Sequence, residues 1–468
     1  MRRAVVSGLC AVWCMLFAGG AVWAADPSLQ AEIEVLKERL AKLEAKLSEG
    51  EGRIVPPTGA EPAAAIPEAV FPVPGIYTVP TTKDLGALTG ISWLSGTKVR
   101  GWVDTNYVFN FNTPDREGVN ANNAATAGAS TGSAVKGRNV SVEGRTFDIH
   151  HNSLSHSLTE LEVEKVPEIG GVGFKVDLAF GETQDIYVDT IKGAVGTEAN
   201  SDSVTDFDKT FQHASVSYLA PIGRGLRFDV GKFVTHIGGE TIETAKNWNY
   251  SHSFFYTYAI PFQDTGVHLS YPWSDTLYTD LYILNGWNVT VDNNKGKSFG
   301  TSIGWIPMPW LSIYTNYLGG PEQTGISSSN LRHLWDTQIF LGPFDGWNFM
   351  VNYDLGLERD NIGGTDNANW NGLTGYARYA VNDWFEPSVR VEYYKDGDGF
   401  TTGMDQSLWG YTLTLNTKLG LGKSNGSMVL FRPEIRYDVA SDKFFTDGSE
   451  YRNKKDQLTL GAGLTWLF

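Results

Sequence analysis

The chain has 468 residues, with 53 acidic and 37 basic side chains and a formal net charge of −16. That length allows two to four soluble domains, but apolar residues make up only 41%, aromatics reach 13% and glycine numbers 52. Such a composition fits a barrel with a wet interior and aromatic girdles better than a dry core. The acidic balance speaks against a nucleic-acid partner, which calls for basic patches. Beyond the first 25 residues no stretch stays apolar for 18 positions, which argues against a transmembrane helix in the mature chain.

Residues 1–24 read as a signal peptide: Arg2 and Arg3 precede an apolar run from Ala4 to Ala21, and Val22-Trp23-Ala24 ends it with a cleavage pattern. Both cysteines, Cys10 and Cys14, lie in this segment, so the mature chain has no disulfide, no thiol chemistry and no Cys-based metal site. Residues 25–50 carry a heptad seam, with Leu29, Leu36 and Leu43 on one row and Ile33, Leu40 and Leu47 on the other, flanked by Glu and Lys. A helix this short is marginal alone, so a coiled coil between copies is expected; packing on its own chain is the alternative. Residues 51–95 read as a Pro-rich linker, because seven prolines from Pro56 to Pro80 rule out regular helix or central strand.

From 96 to 468 the pattern has period two. Leu458, Leu460, Ala462, Leu464, Trp466 and Phe468 alternate with Gln457, Thr459, Gly461, Gly463 and Thr465. In other segments the polar face carries charges, which a soluble sandwich would have to bury and a barrel can leave in water. Sixteen such segments, the second at 147–165, alternate between short turns and longer polar connections. The expected fold is therefore an all-β transmembrane barrel of sixteen antiparallel strands. Its polar face presents Arg100, Asp104, Lys175, Asp177, Arg227, Asp229, His268, Arg390, Glu392, Arg432, Glu434, Arg436 and Asp438 as pore-lining residues. Their signs nearly balance, so ion selectivity stays open at this stage.

The stretch from Gly225 to Lys297 resembles the OmpL-like β-barrel porins of the porin-2 family. The matching residues include Gly225-Leu226-Arg227-Phe228-Asp229-Val230-Gly231-Lys232-Phe233, Asn247-Trp248-Asn249-Tyr250-Ser251, Ala259-Ile260-Pro261-Phe262 and Asn285-Gly286-Trp287. The terminal Phe468 resembles the usual last residue of outer-membrane porins, and His268 stands where the family implies Arg. The resemblance implies a channel for small hydrophilic solutes or ions in the outer membrane of a Gram-negative cell, with membrane lipid around it. A homotrimer with its coil in the periplasm rests on the heptads and on a likeness to general porins.

That likeness also marks the loop from His236 to Gln263 as the constriction, since it follows the fifth strand. The loop holds Trp248, Tyr250, Phe254, Phe255, Tyr256 and Tyr258, too apolar for an exposed connection. Its charges Glu240, Glu243 and Lys246 are expected to face Arg390, Arg432 and Arg436 across a narrow gap. The alternative is an external loop whose rings meet lipid headgroups or a neighbouring protomer.

Catalytic and metal motifs are weak. Gly300-Thr301-Ser302-Ile303-Gly304 matches a nucleophile elbow but keeps strand alternation. On a strand His150 and His151 point to opposite faces and His156 lies about 20 Å from His150, so the three cannot share an ion. Asp396-Gly397-Asp398-Gly399 lacks the rest of a calcium loop. No cofactor and no metal are expected, and a barrel-borne hydrolase or a structural tether to the periplasm are the alternatives to a channel.

Overall fold

The computed structural model describes residues 83–115, 119–120, 139–140, 142–193, 210–323, 330–359, 367–420, 427–448 and 450–468. The expected signal peptide and coil lie outside the described residues, as does the linker up to 82. Past the last proline of that linker the chain can take up hydrogen-bonded structure. Lys83 and Asp84 pair with Val99 and Lys98. Asp84 then caps the short helix Leu85–Thr89 by accepting from the Ala87 amide.

Among the described residues sixteen long strands follow in chain order. They are β1 (Thr97–Asn110), β2 (Ser153–Lys165), β3 (Val172–Phe180), β4 (Phe211–Ala220), β5 (Leu226–Val234), β6 (Gln263–Pro272), β7 (Leu277–Leu284) and β8 (Ser298–Met308). The second half is β9 (Leu311–Pro321), β10 (Leu331–Phe344), β11 (Trp347–Glu358), β12 (Ala368–Tyr379), β13 (Phe385–Asp396), β14 (Gln406–Leu419), β15 (Met428–Ala440) and β16 (Asp456–Leu467). Each pairs antiparallel with its chain neighbours. β16 returns to β1, with Leu467 opposite Trp102 and Thr459 opposite Asn110. The sheet is a closed barrel without a free edge.

Period two decides which face is which. On β16, Leu460, Leu464 and Trp466 are exposed while Gln457, Thr459 and Thr465 are buried. The apolar residues thus lie outside and the polar residues inside, the inverse of a soluble protein and the pattern of a lipid-embedded barrel. Trp273, Trp310, Trp347 and Trp384 are exposed at the short-turn end, and Phe299, Trp335 and Trp409 face outward nearer the long loops. Among the described residues no helix is long and apolar enough to cross a membrane.

Three connections depart from the polar external loops expected of them. The second strand begins at Ser153 rather than at 147; the residues before it turn inward and bury Phe147 and Ile149. The second long connection holds a helix, Glu182–Gly193, whose buried Tyr187 donates to Gln263 Oε1 at 2.9 Å. The last contains a hairpin of Phe445–Asp447 and Glu450–Lys454. Phe147, Ile149, Tyr187, Phe444 and Phe445 join one apolar cluster with rings of the third loop. That burial is why these segments fold in rather than out.

The inside-out pattern makes a direct prediction for stability. Leu460→Arg places a charge on the lipid face near the middle of β16 and is expected to cost about 2–4 kcal/mol. Urea unfolding of the barrel in phospholipid vesicles measures it.

Candidate functional site: the inner wall and the third loop

The third loop, 235–262, leaves β5 and re-enters the wall at β6 without staying outside. A 3₁₀ turn at Thr244–Lys246 and a π-helical turn at Phe255–Ala259 are its regular parts. Its backbone cannot satisfy itself over such a path, so buried wall side chains do it. Arg390 on β13 donates to Glu240 Oε1 at 2.9 Å, to the Ser251 carbonyl at 2.6 Å and to the His252 carbonyl at 3.2 Å. Arg432 on β15 donates to the carbonyls of Thr244 and, at 2.7 Å, Asn247. Arg436 reaches the His252 carbonyl at 2.6 Å.

Carboxylates on the same wall take the loop's N–H groups. Glu392 accepts from Phe254 at 2.6 Å and Glu434 from Tyr250 at 2.9 Å. Charge-assisted bonds of this kind are the strong ones. On the other side of the seam, Asp104 on β1 accepts from the Thr244 hydroxyl at 3.0 Å and the Tyr250 hydroxyl at 2.9 Å. Lys246 lies 3.7 Å from Glu162 on β2. Two inner-face glycines make room for the rings. A Cβ on Gly463 would stand 2.0 Å from the Tyr250 ring, and one on Gly372 would stand 2.3 Å from that of Phe255.

The loop's own ionisable groups are tuned by this packing. Burial pushes the Glu240 carboxyl up, but Arg390, His252 and the Ser253 N–H outweigh it and hold it below its ordinary value. Glu243 is held down in the same way, chiefly by Lys246 against its own burial. Burial drives His252 below its ordinary value of 6.5, and the nearby Glu240 only partly opposes this.

All thirteen wall residues expected from the sequence lie on the inner face. Arg100 and Lys175 are half-buried and the others buried. His268 sits between Asp229 at 3.0 Å and Asp280 at 3.3 Å. Its ring stacks on Tyr282, whose other face carries His236. The expectation of opposed charge rows across a gap is corrected here. Glu240 and the three arginines are in contact with one another or with loop carbonyls, because a guanidinium buried this deeply must find acceptors at hydrogen-bonding distance.

The motifs judged weak sit in other settings. Gly300 to Gly304 is an uninterrupted part of β8. His150 pairs with Glu182, the Nδ1 of His151 accepts from the Asn110 amide, and His156 contacts Thr159. The Asp396 carboxylate is taken up by the amides of Phe400, Thr401 and Thr402 at 2.7–2.9 Å.

A family model described as "Putative beta-barrel porin-2, OmpL-like" matches residues 96–468. The chain belongs to this family. Solved structures share the barrel at low identity. The anion-selective porin from Comamonas acidovorans is 12% identical, with 80% of this chain and 99% of that one covered and a TM-score of 0.48. The outer-membrane channel DcaP of Acinetobacter baumannii is 11% identical, over 80% and 98%, at 0.46. The trimer form of OmpT from Vibrio cholerae is 12% identical, over 80% and 99%, at 0.45. No curated protein matches the chain. The protein is an outer-membrane porin, a channel for small solutes.

The porin's interior is more acidic than the thirteen wall residues suggest. Among the described residues twenty Asp and Glu side chains are buried, against seven Arg. Half-buried Arg100, Lys175, Lys246 and Lys418 do not close the gap. The acids outside the expected set include Glu160, Glu162 and Glu164 on β2, Asp280 on β7, and Asp336 and Asp354 on β10 and β11. The alternation Glu160-Leu161-Glu162-Val163-Glu164 was a readable signal for three of them.

The depressed His252 gives a pH test. Docking disfavours the protonated ring, so docking is at full strength above about 6.5 and weakens as pH falls and the undocked form takes up a proton. Single-channel recordings are expected to show a noisier, larger conductance at pH 5 than at pH 8, and His252→Gln is expected to remove most of that difference.

Proposed function

We propose that the third loop is the constriction of this porin and that the pore prefers small hydrophilic cations over anions. The carrying observation is the excess of buried carboxylates over basic groups along the inner wall and loop. A fixed negative surplus between low-dielectric walls raises the local concentration of cations and lowers that of anions. The loop supports the constriction reading because its bonds reach walls as far apart as Gln212 on β4 and Asn352 on β11. Arg390 and Arg436 have their charge committed to Glu240, Glu392 and Asp438, and Arg432 is bonded to the carbonyls of Thr244 and Asn247. Positioning and electrostatics, with no bond made or broken, are all that such a site performs.

The same reading includes a cleaved signal peptide at 1–24, a periplasmic coil at 25–50 on an extended linker, and assembly as a homotrimer. The support is the strict seven-residue spacing of Leu29, Leu36 and Leu43 and of Ile33, Leu40 and Leu47. Their identity alone leaves the strand number open.

Two measurements test these points. Reversal potential in a tenfold KCl gradient is expected to fall on the cation-selective side, and Glu240→Gln with Glu243→Gln is expected to move it toward anions. An anion-selective wild-type pore would overturn the reading. For assembly, native mass measurement in mild detergent is expected to give a trimer, and Leu36→Asp with Leu40→Asp is expected to weaken it while single-channel conductance persists. A wild-type monomer would exclude the trimer.

A further inference from the structure

Part of the surplus of negative charge lies in one patch of the inner wall. Neighbouring strands β2 and β3 place Glu160, Glu162 and Asp177 together, with Glu162 directly opposite Asp177 in the register. Each offers a carboxylate oxygen within 4.8 Å of the other two. None of the three residues is more than 1% exposed. Glu164 on the same strand and Glu243 on the third loop add two more acids.

The cations there are already shared. Arg100 pairs with Glu162 and lies 3.9 Å from Glu164. Lys175 is 3.7 Å from Glu162 and 3.5 Å from Asp177. Lys246 is 3.1 Å from Glu243 and 3.7 Å from Glu162. Five carboxylates thus divide three positive charges, a deficit of two.

Glu160 carries the second, independent observation. Its side chain is fully buried, and neither carboxylate oxygen has a hydrogen-bond partner. Among the described residues no basic group stands within 4.0 Å of it, so it is left out of the ion pairs around Glu162. A buried carboxylate without a hydrogen-bond partner or counter-charge is one of the costliest groups a fold can hold, and an oxygen of this one lies within 4.8 Å of oxygens of Glu162 and Asp177. Next to the patch, Gln212 on β4 donates its amide to Glu243 at 2.9 Å and leaves its own oxygen without a partner.

We propose that Glu160, Glu162 and Asp177 form a Ca²⁺ site on the inner wall beneath the Thr244–Lys246 turn of the third loop. Oxygen ligands about 2.3–2.6 Å from a Ca²⁺ ion stand no more than about 5 Å apart, which matches this spacing; Mg²⁺ at about 2.0–2.1 Å demands a tighter octahedron and keeps more water. Two positive charges make up the deficit that Arg100, Lys175 and Lys246 leave. The ion would then tie β2 and β3 to the loop through the Glu243–Lys246 pair. The site does not depend on which solute the porin carries.

Terbium luminescence tests the proposal on the full-length mature protein, refolded in detergent free of lipopolysaccharide. Trp102 lies opposite Glu160 in the β1–β2 register and serves as the sensitiser. One Tb³⁺ per chain is expected to be lit through tryptophan and to be displaced by Ca²⁺ at far lower concentration than by Mg²⁺. Glu160→Gln and Asp177→Asn are each expected to raise the half-saturating Ca²⁺ at least tenfold, while Asp398→Asn on an external loop leaves it unchanged. Heat-modified gel mobility verifies folding of each variant. Lys246→Gln keeps the test decisive if the acid variants misfold: removing the competing cation is expected to tighten Ca²⁺ several-fold. No tryptophan-sensitised emission, equal Ca²⁺ affinity in a folded Glu160→Gln, or no tightening in Lys246→Gln would each overturn the site.

Discussion

Arg390 grips the third loop, and the inside of the barrel is arranged around that grip. A guanidinium with no exposed surface needs acceptors on every side, and Glu240, Glu392 and the carbonyls of Ser251 and His252 supply them. Those bonds set the path of the loop between residues 240 and 252. Arg432 and Arg436 extend the same contact along β15, two strands away, and Glu392 and Glu434 answer with acceptors for the loop amides. The rings from Tyr250 to Tyr258 then fall against glycine-lined or apolar parts of the inner surface. Removing one member of such a network leaves the others buried and unpaired, so single substitutions on either surface loosen the docked loop.

This arrangement changes what the arginines do. Across an open gap they would be free charges and would draw anions toward the narrow region. Bound to loop carbonyls and carboxylates, they are structural, and the unpaired charge of the interior belongs to carboxylates elsewhere on the wall. The same wall therefore anchors the loop on one side and carries further buried carboxylates, Asp336 and Asp354 among them, on the other. Ion preference follows from the part of the charge that the fold has not already used.

The barrel was legible in the sequence because lipid outside and water inside impose strict alternation on every strand, and turns and loops of unequal length mark the two ends. β14 from Gln406 to Leu419 shows no shift at all between pattern and structure. The inward course of the third loop was legible too, since six large rings between Trp248 and Tyr258 have no business in an exposed connection. What stayed hidden depends on partners far away in the chain. Arg145 reads as the edge of a polar loop and Phe147 and Ile149 as the start of the second strand, yet Arg145 meets Asp438 and donates to Thr459. Nothing local in 142–152 announces a partner three hundred residues on. The contact between arginines and loop was hidden for a related reason: alternation tells which face a side chain takes but not how far the opposite surface stands from it.

Excision of the loop tests its place most directly. Replacing residues 240–258 by a short Gly-Ser link, with barrel closure verified by heat-modified gel mobility, takes away the loop and leaves the sixteen strands. With the loop inside the channel, single-channel conductance in 1 M KCl is expected to rise several-fold and larger solutes to enter. An unchanged conductance from a folded, loop-less barrel would contradict a loop that narrows the pore.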